Sequence, residues 1–506
     1  MHSINFLLFE ISAFKLCIIA KTLELTPQAA RRIVSELGLR EMTGGGEVSG
    51  VGCNLRTANS EKQSSVQNGT LTKAFYQSNE GDCEMLVTFD DWTRGRKLVS
   101  WGTNAGAEEL PFQKWKHFKE SFAPELIARA VSQSKIPVKT CVDPFGGSGT
   151  TALSCQFLGV RPETIEVNPF LADLIEAKLT SYNADLLARD LGSIIRSSWR
   201  KTDSETRLAE FPPTFVEPGI GGRWIFDRVV AERICAFISA IELLDDASHR
   251  RLFKVLLGGI LVEVSNIIVN GKGRRYRRGW ETRRKSAEDV SDLFVRSAQR
   301  AIEEIHKYTR RACAGYELKR GDSRQLLQNG GVVDLCVFSP PYPNSFDYTD
   351  VYNVELWVLG YLNGSLANQR LRESTLSSHV QISREFAPPP AASSTLKDVS
   401  HSLETRRADL WDSRIPQMVG AYFADMEAIL RALKTRIRED GSVWMVVGDS
   451  RYSDVHIKTA TILAELSVAQ GWTVEFVEPC RSMRASAQQG GQFDLSEDLL
   501  VLTNGR

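Results

Sequence analysis

The feature that most constrains the fold is a strand, a glycine-rich turn, a helix and a second strand between residues 140 and 167. A short apolar strand, Thr140–Val142, runs into Asp143-Pro144-Phe145-Gly146-Gly147-Ser148-Gly149-Thr150-Thr151, and a helical pattern follows through Leu158. A second strand is predicted over Thr164–Val167, with a further helix from Pro169. Strands joined by a helix pair in parallel. The spacing therefore predicts a doubly wound α/β sheet.

The glycine-rich turn has the composition of a ligand cradle. Glycines let the backbone approach a ligand closely, and the start of the following helix offers free N–H groups. Glu166, near the end of the second strand, is placed to accept hydrogen bonds from ribose hydroxyls. The turn lacks the Gly-Lys-Ser/Thr ending of a triphosphate-binding loop. These features favour a nucleoside cofactor that carries little negative charge over an ordinary turn.

A second motif, Ser339-Pro340-Pro341-Tyr342, follows the apolar strand Val332–Phe338 directly. Two prolines stiffen the chain where it leaves the sheet. Rigid carbonyl and hydroxyl acceptors beside an aromatic ring suit a planar ring that bears an amino group. In isolation, however, tandem prolines at a strand end also fit a simple turn.

Together the two motifs resemble those of the DNA methyltransferases that methylate the exocyclic amine of cytosine (N4) or adenine (N6). The resemblance covers roughly residues 110–180 and 318–505. It implies a class I methyltransferase fold, a doubly wound Rossmann-like sheet, with S-adenosyl-L-methionine as cofactor and double-stranded DNA as substrate. Serine in the first position of Ser-Pro-Pro-Tyr is more usual in the N4 branch, so cytosine-N4 is favoured over adenine-N6.

The resemblance also implies which residues form the site. The catalytic loop corresponds to Ser339, Pro340, Pro341 and Tyr342. The cofactor-binding residues correspond to Phe122, Asp143, Pro144, Phe145, Gly147, Ser148, Gly149, Thr150, Glu166 and Asp322. Phe122 equally fits core packing. Asp347 and Tyr348 follow the catalytic loop and fit either the base pocket or a helix start.

The rest of the chain divides around these motifs. We predict an N-terminal helical extension over residues 1–42 and a flexible linker over 43–80. The cofactor half of the sheet spans 81–205, a mostly helical insertion 206–315, and the catalytic half 316–506 with a flexible loop at 376–400. The insertion contains helical patterns at Val229–Leu244 and Arg251–Val269. It precedes the Asp322 turn, which is unusual for a recognition domain of this family.

Charge is balanced overall but not locally. The chain has 62 Lys and Arg against 62 Asp and Glu, which excludes a protein that coats nucleic acid by bulk charge. Residues 270–285, here called the basic segment, carry eight Lys or Arg against Glu281, a local sum of +7. Arginines suit phosphates, although a charge run also fits a solvated loop. The predicted DNA-binding residues are Lys272, Arg274, Arg275, Arg277 and Arg278.

The remaining composition narrows the class of protein. Nine scattered cysteines form no Cys-x-x-Cys pair, which indicates reduced thiols in a cytoplasmic protein. The seven histidines show no His-x-x-x-His spacing, so no metal site is predicted. The apolar stretch Ile4–Ala20 is interrupted by Glu10 and Lys15, and neither a membrane span nor a signal peptide is expected.

Three functions therefore remain open from the sequence. The favoured one is a site-specific DNA methyltransferase, acting alone or with a cognate restriction or defence partner. The second is an RNA base methyltransferase, because related Pro-Pro-Tyr loops occur in such enzymes. The third is a cofactor-binding DNA-binding protein without catalysis, which the intact Ser-Pro-Pro-Tyr motif disfavours.

Overall fold

The computed structural model describes residues 86–118, 121–200, 204–270, 273–484 and 494–505. A separate unit, Met1–Glu84, contains two paired dipeptide strands, Ile11–Ser12 and Glu41–Met42. Apart from these dipeptides, the predicted N-terminal helical extension (1–42) and linker (43–80) lie outside the described residues.

The second unit, Met85–Arg506, is built on a seven-stranded sheet. The strands in chain order are β1 (Thr140–Asp143), β2 (Arg161–Glu166), β3 (Ile267–Asn270), β4 (Gly273–Tyr276), β5 (Glu317–Arg320), β6 (Val333–Phe338), β7 (Ile437–Gly448), β8 (Ser450–Tyr452), β9 (Val455–Ile457), β10 (Thr473–Arg484) and β11 (Asp494–Thr503). The large sheet has the order β10-β11-β7-β6-β1-β2-β5. The pairs β3–β4 and β8–β9 form two separate hairpins.

Parallel pairing dominates the large sheet. β7, β6, β1, β2 and β5 are parallel neighbours, and β11 pairs antiparallel with both β7 and β10. Every residue of β6 is buried, as expected of a strand covered by helices on both faces. The chain proceeds from β1 outward through β2 and β5, then returns to β6 on the other side. The predicted doubly wound, Rossmann-like sheet is confirmed.

Helices cover the large sheet and form most of the insertion. They are α1 (Phe89–Thr93), α2 (Glu125–Ser132), α3 (Thr150–Phe157), α4 (Pro169–Leu179), α5 (Ala184–Ser197), α6 (Ser204–Ala209), α7 (Arg228–Glu242), α8 (Ala247–Ile260), α9 (Ala287–Lys307), α10 (Ser323–Leu326), α11 (Tyr348–Val351), α12 (Asn353–Val358), α13 (Ser365–Glu373), α14 (Ser394–Thr405), α15 (Ile415–Arg436) and α16 (Thr459–Ala469). Two of them have clear sequence starts: Asn168 caps α4 through its side chain, and Ser286 forms a capping box at α9.

The insertion is mostly helical, but one predicted helix was too long. The pattern over Arg251–Val269 predicted a single helix, whereas α8 ends at Ile260 and β3 begins at Ile267. The hydroxyl of Ser265 accepts the N–H of Ile267 and donates to the carbonyl of Val262, at 3.2 and 2.7 Å. Such local bonds compete with helical ones, and β-branched residues then favour a strand.

The predicted flexible loop at 376–400 was wrong in two respects. Its last part forms the start of α14, whose first turn is capped when Ser393 accepts the N–H of Leu396. Its first part has no helix or strand but is packed, and Ser377, Ser378, His379 and Val380 are buried. Proline and serine content alone did not reveal this burial.

A buried ion pair joins α15 to the sheet. Arg436, 2% exposed, donates to both carboxylate oxygens of Glu163 on β2, at 3.0 and 2.5 Å, and Lys319 on β5 donates to Oε1 at 2.7 Å. Burial by itself raises the pKa of Glu163, but Arg436 and Lys319 outweigh it, and the pKa is lowered. The ionised carboxylate therefore depends on both cations.

We expect Arg436→Met to lower the free energy of unfolding by about 3–5 kcal/mol, because it leaves Glu163 buried without its main partner. Urea unfolding followed by circular dichroism measures the change. Arg431→Met on the same helix is the matched control, since Arg431 is 67% exposed in its pair with Glu427 and its loss should change stability by under about 0.5 kcal/mol. Equal shifts for the two variants would contradict the account.

Candidate active site

One cavity of about 770 Å³ lies at the carboxyl ends of β1, β2 and β6. Its lining includes the whole Ser-Pro-Pro-Tyr motif and most of the glycine-rich turn. The two motifs meet because β1 and β6 are parallel neighbours, with Val142 opposite Cys336. Ligands of doubly wound sheets bind at such a point, where the chain order reverses.

The glycine-rich turn needs glycine for two different reasons. Gly147 and Gly149 have φ angles of 52° and 81°, in the left-handed region that other residues rarely adopt. Gly146 lacks room instead, since a Cβ there would lie 2.4 Å from Cγ2 of Thr164 and 2.7 Å from Cδ1 of Ile175. The N–H of Gly146 also donates to the carbonyl of Ile165 at 3.0 Å. The turn is thus drawn tightly against the end of β2.

Glu166 fastens this turn. Its two carboxylate oxygens accept the N–H of Gly147 at 2.7 Å and the N–H of Asn168 at 2.8 Å. Burial raises the pKa of Glu166 to about 7 and that of the neighbouring Asp143 also to about 7. Asp143 accepts the N–H of Phe145 at 2.9 Å. Two buried carboxyls therefore face a cavity in which donors or positive charge would stabilise their ionised forms.

Lys178 supports the same turn from below and was missed by sequence reasoning. The residue is 1% exposed, and its Nζ donates to the carbonyl of Ser148 at 2.7 Å and to Oε1 of Gln113 at 3.3 Å. Burial lowers the pKa of Lys178 to about 7. A lysine inside an amphipathic helical pattern carries no sequence signal that separates it from a solvated one.

The aromatic wall of the cavity includes more than the predicted residue. Phe122 lines the cavity and also packs in the core against Leu126 and Ile127, so both of its predicted roles remain open. Phe118 lines the cavity too, and a Cβ on Gly147 would lie 3.1 Å from its ring. Ser121 and Thr150 approach within 2.6 Å through their hydroxyls and join this segment to the start of α3.

Asp322 lies in the cavity wall just after β5, and its carboxylate is already engaged by another side chain. It accepts the backbone N–H of Arg324 at 2.9 Å, and the Arg324 guanidinium donates to both of its oxygens, at 3.0 and 2.7 Å. Arg324 in turn pairs with Asp425. Only the remaining lone pairs of Asp322 are available to a ligand.

The Ser-Pro-Pro-Tyr loop presents acceptors to the cavity. The hydroxyl of Ser339 donates to the carbonyl of Val446 on β7 at 2.9 Å. Because its single hydrogen is used there, the Ser339 oxygen can act towards a ligand only as an acceptor. Tyr342 donates its hydroxyl to Glu497 Oε1 at 2.9 Å, and the two prolines have no N–H to offer.

Sequence reasoning missed the group that holds Tyr342. Glu497 on β11 is 2% exposed and is clamped by Arg481 on β10, whose Nε donates to Oε2 at 2.6 Å and whose Nη2 donates to Oε1 at 3.1 Å. All three side chains line the cavity. Glu497 follows Ser496 in an ordinary strand pattern, and no motif marks it.

Charged side chains form the opposite wall, between residues 345 and 381. Asp347 caps α11 by accepting the N–H of Thr349 at 2.9 Å and pairs with Arg372 at 3.0 Å. His379, 1% exposed, has its Nε2 3.9 Å from Oδ1 of Asp347. Burial lowers the pKa of His379 to about 4, so its imidazole is neutral at physiological pH. Asp347 thus acts as both a helix cap and a cavity residue.

The basic segment reaches the mouth of the cavity, but its arginines differ in role. Gly273 lines the cavity, and Arg274 pairs with Asp350 at 3.3 Å. Arg275 and Arg278 are exposed. Arg277 instead donates to the carbonyls of Ser265 and Val262, at 3.1 and 2.8 Å, so we withdraw it as a DNA-binding residue. Lys272 lies outside the described residues.

Two kinds of feature are absent from the described parts of the chain. There, no group of three or more His, Cys, Asp or Glu side chains is arranged to hold a metal ion. Within the same residues, no helix is both long enough and apolar enough to span a bilayer.

We expect Gly146→Ala to displace the glycine-rich turn, because its methyl group would overlap Thr164 and Ile175. Overpacking of this kind costs about 1–3 kcal/mol, and thermal unfolding should show the corresponding fall in Tm. Gly331→Ala is the control, since its Cβ meets no atom within 4 Å. An unchanged Tm for Gly146→Ala would mean that the turn has more room than the structure gives it.

The N-terminal segment resembles a known DNA-binding domain. Residues 14–52 match the family described as an HTH DNA-binding domain. The match spans part of the predicted helical extension (1–42) and of the predicted linker (43–80), and no motif in the sequence indicated this domain. Apart from Glu41–Met42, the matched segment is outside the described residues.

Named relatives match most of the chain. It is 24% identical over 442 residues to the Type II methyltransferase M.AvaI of Nostoc sp. (strain PCC 7120), covering 78% of this chain and 86% of the relative. It is 26% identical over 353 residues to the Type II methyltransferase M.BsoBI of Geobacillus stearothermophilus, covering 63% and 64%. Among solved structures it is similar to the rRNA methyltransferase aviRa from Streptomyces viridochromogenes at 10% identity and a TM-score of 0.25, covering 76% and 86%. Over more than half of its length, the chain is thus similar to proteins named as Type II methyltransferases.

Proposed function

We propose that this protein is a DNA methyltransferase that transfers a methyl group from S-adenosyl-L-methionine to the exocyclic amine of a flipped base. The observation that carries the proposal is the meeting of two half-sites in one cavity: a glycine-rich nucleoside cradle at the end of β1, and an acceptor-only serine at the end of β6. Similarity to named Type II methyltransferases supports it.

The residues around the glycine-rich turn fit the cofactor. Glu166 and Asp143 are buried carboxyls with raised pKa values, and ribose hydroxyls or a cation would stabilise their charge. Gly147 and Gly149 keep the backbone free of side chains, while Phe122 and Asp322 border the same space. S-adenosyl-L-methionine, when bound, supplies a methyl group on a positively charged sulfonium sulfur.

The catalytic loop would act on the target amine, which is the less reactive of the two reacting groups. Its lone pair is conjugated into the base, so it is a poor nucleophile until its hydrogens are accepted by groups that favour tetrahedral geometry. Ser339 and the carbonyl of Pro340 are acceptors of this kind, and the Tyr342 ring offers a stacking surface. These acceptors would hold the amine hydrogens so that its lone pair faces the methyl group that the bound cofactor would supply, and the amine would give up one proton to water.

Cytosine-N4 is the favoured position, on the strength of Ser339 as the first residue of the loop. DNA is the favoured polymer for two reasons. Residues 14–52 match an HTH DNA-binding domain. The basic segment lies at the entrance of the cavity, where Gly273 lines it and Arg274 pairs with Asp350. The Type II designation of the relatives further supports a role in restriction–modification, with a cognate nuclease as partner.

The direct test is the identity of the methylated nucleoside. The protein is incubated with isotopically labelled S-adenosyl-L-methionine and either unmethylated duplex DNA or total RNA, which is then digested and analysed by mass spectrometry. We expect label in N4-methyldeoxycytidine from DNA. Label in N6-methyldeoxyadenosine would retain the enzyme class but overturn the base assignment, and label confined to RNA would overturn the proposal.

The exposed arginines of the basic segment should contribute to binding through phosphates. Replacing Arg275 and Arg278 by Gln should weaken binding to all DNA sequences and reduce the slope of log K against log salt by about 0.9 for each phosphate that is no longer neutralised. Fluorescence anisotropy over a salt series measures this slope. Arg189→Gln with Arg431→Gln removes the same charge from side chains 68% and 67% exposed that do not line the cavity. Equal slopes for the two double variants would exclude a specific phosphate interaction.

A further inference from the structure

We propose that Glu497 is a positioning residue for methyl transfer, which acts by fixing the direction of the Tyr342 hydroxyl and so keeps the Ser339 oxygen free to accept the target amine. This inference rests on the proposed function. Neither motif contains Glu497, and it reaches the site from β11, far along the chain from Ser339.

The carboxylate is held from two sides. Arg481 donates to both of its oxygens, and the Tyr342 hydroxyl donates to Oε1 at 2.9 Å. On the third side stands Gly102, where a Cβ would lie 2.0 Å from Oε2. Any larger residue at position 102 would displace the carboxylate. The lack of a side chain at Gly102 therefore provides the space that the Glu497 carboxylate occupies.

Some groups around Ser339, Tyr342 and Glu497 can only accept a hydrogen bond. This fixes the direction in which each hydroxyl hydrogen points. The carboxylate only accepts, so Tyr342 must direct its hydrogen to Glu497. Ser339 directs its own hydrogen to the carbonyl of Val446 at 2.9 Å. The oxygens of Ser339 and Tyr342 are 3.3 Å apart, and no hydrogen is left for that gap. The lone pairs of Ser339 therefore remain available to the amine.

The Tyr342 hydroxyl stays protonated in this arrangement. Burial raises the pKa of Tyr342 well above its usual value, and the adjacent charge of Glu497 raises it further. The phenol is therefore neutral at working pH and acts as a donor. Glu497 therefore controls the direction of the Tyr342 O–H bond and does not ionise the phenol.

Replacing Glu497 by Gln should reverse the hydrogen bond. Arg481 makes its shorter bond to Oε2, 2.6 Å against 3.1 Å to Oε1, so the amide oxygen takes the Oε2 position and the amide NH₂ takes the Oε1 position, facing Tyr342. Tyr342 then accepts from the amide and turns its own hydrogen towards Ser339, 3.3 Å away. That hydrogen occupies the lone pair that the target amine requires. Gly102→Ala should free the same Tyr342 hydrogen without changing charge, because its methyl group would push the carboxylate out of reach of the hydroxyl.

The experiment compares kcat on unmethylated DNA and the Kd for S-adenosyl-L-methionine in the full-length protein. Glu497→Gln should lower kcat about 10- to 100-fold, the scale of one positioned hydrogen bond, with Kd within about twofold. Tyr342→Phe keeps the ring and removes the hydroxyl through which Glu497 would act, so it is the reference for the double variant. The double variant Glu497→Gln with Tyr342→Phe should have the kcat of Tyr342→Phe alone. Without the hydroxyl there is no hydrogen that could turn towards Ser339, so Glu497→Gln causes no further loss.

Glu478→Gln is the matched control. Glu478 lies on β10 and pairs with Arg129 through both oxygens, at 3.0 and 2.7 Å, but it does not line the cavity. Its kcat should be that of the wild type. If Glu497→Gln fails to fold, Gly102→Ala alone and with Tyr342→Phe gives the same comparison.

Two results would overturn the inference. A double variant in which the losses multiply would mean that Glu497 supports the structure and does not act through the Tyr342 hydroxyl. Full activity of Glu497→Gln would exclude any role in the reaction. In both cases the wild type still methylates DNA and the proposed function stands. A wild-type protein that methylates no DNA would overturn the proposed function, and this inference with it.

Discussion

The parallel pairing of β1 with β6 determines where every group of the candidate site lies. These two strands are neighbours in space although the whole helical insertion separates them in the chain. Their carboxyl ends point the same way, so the turn after Asp143 and the loop after Phe338 must open into the same cavity. Parallel strands also bury both faces, which leaves their ends as the places where polar side chains can meet a ligand.

Buried charge is the second property that shapes this cavity. Glu166 and Asp143 have pKa values raised to about 7 by burial, from ordinary values near 4. A carboxyl with a raised pKa in the folded state disfavours folding as the pH rises from about 4 towards 7. Lys178 beneath the turn, with a pKa lowered to about 7, disfavours folding as the pH falls from about 10 towards 7. The folded cavity thus carries an electrostatic cost that a ligand with donors and positive charge would offset.

How much of this could be predicted from the sequence depends on the range of the interactions. The glycine-rich turn and the Ser-Pro-Pro-Tyr loop could be recognised because each is a run of consecutive residues next to a strand. The sequence did not indicate three further residues, Glu497, Arg481 and Lys178. Each reaches the site only through the tertiary fold and lies in an ordinary strand or helix pattern. The same reason explains Arg277, which a charge count assigned to DNA but whose guanidinium binds two backbone carbonyls. The burial of residues 377–380 likewise depends on packing that composition does not record.

The central claim is that the glycine-rich turn and the Ser-Pro-Pro-Tyr loop line one cavity, so that the proposed cofactor, bound at the turn, lies beside the loop. Hydrogen–deuterium exchange of the full-length protein with and without S-adenosyl-L-homocysteine, the demethylated form of the cofactor, tests it most directly. The account predicts slower exchange in peptides covering residues 143–151 and in those covering 339–346, with no change in α7, none of whose residues line the cavity. Protection confined to one of the two motifs, or found only outside the cavity, would contradict it.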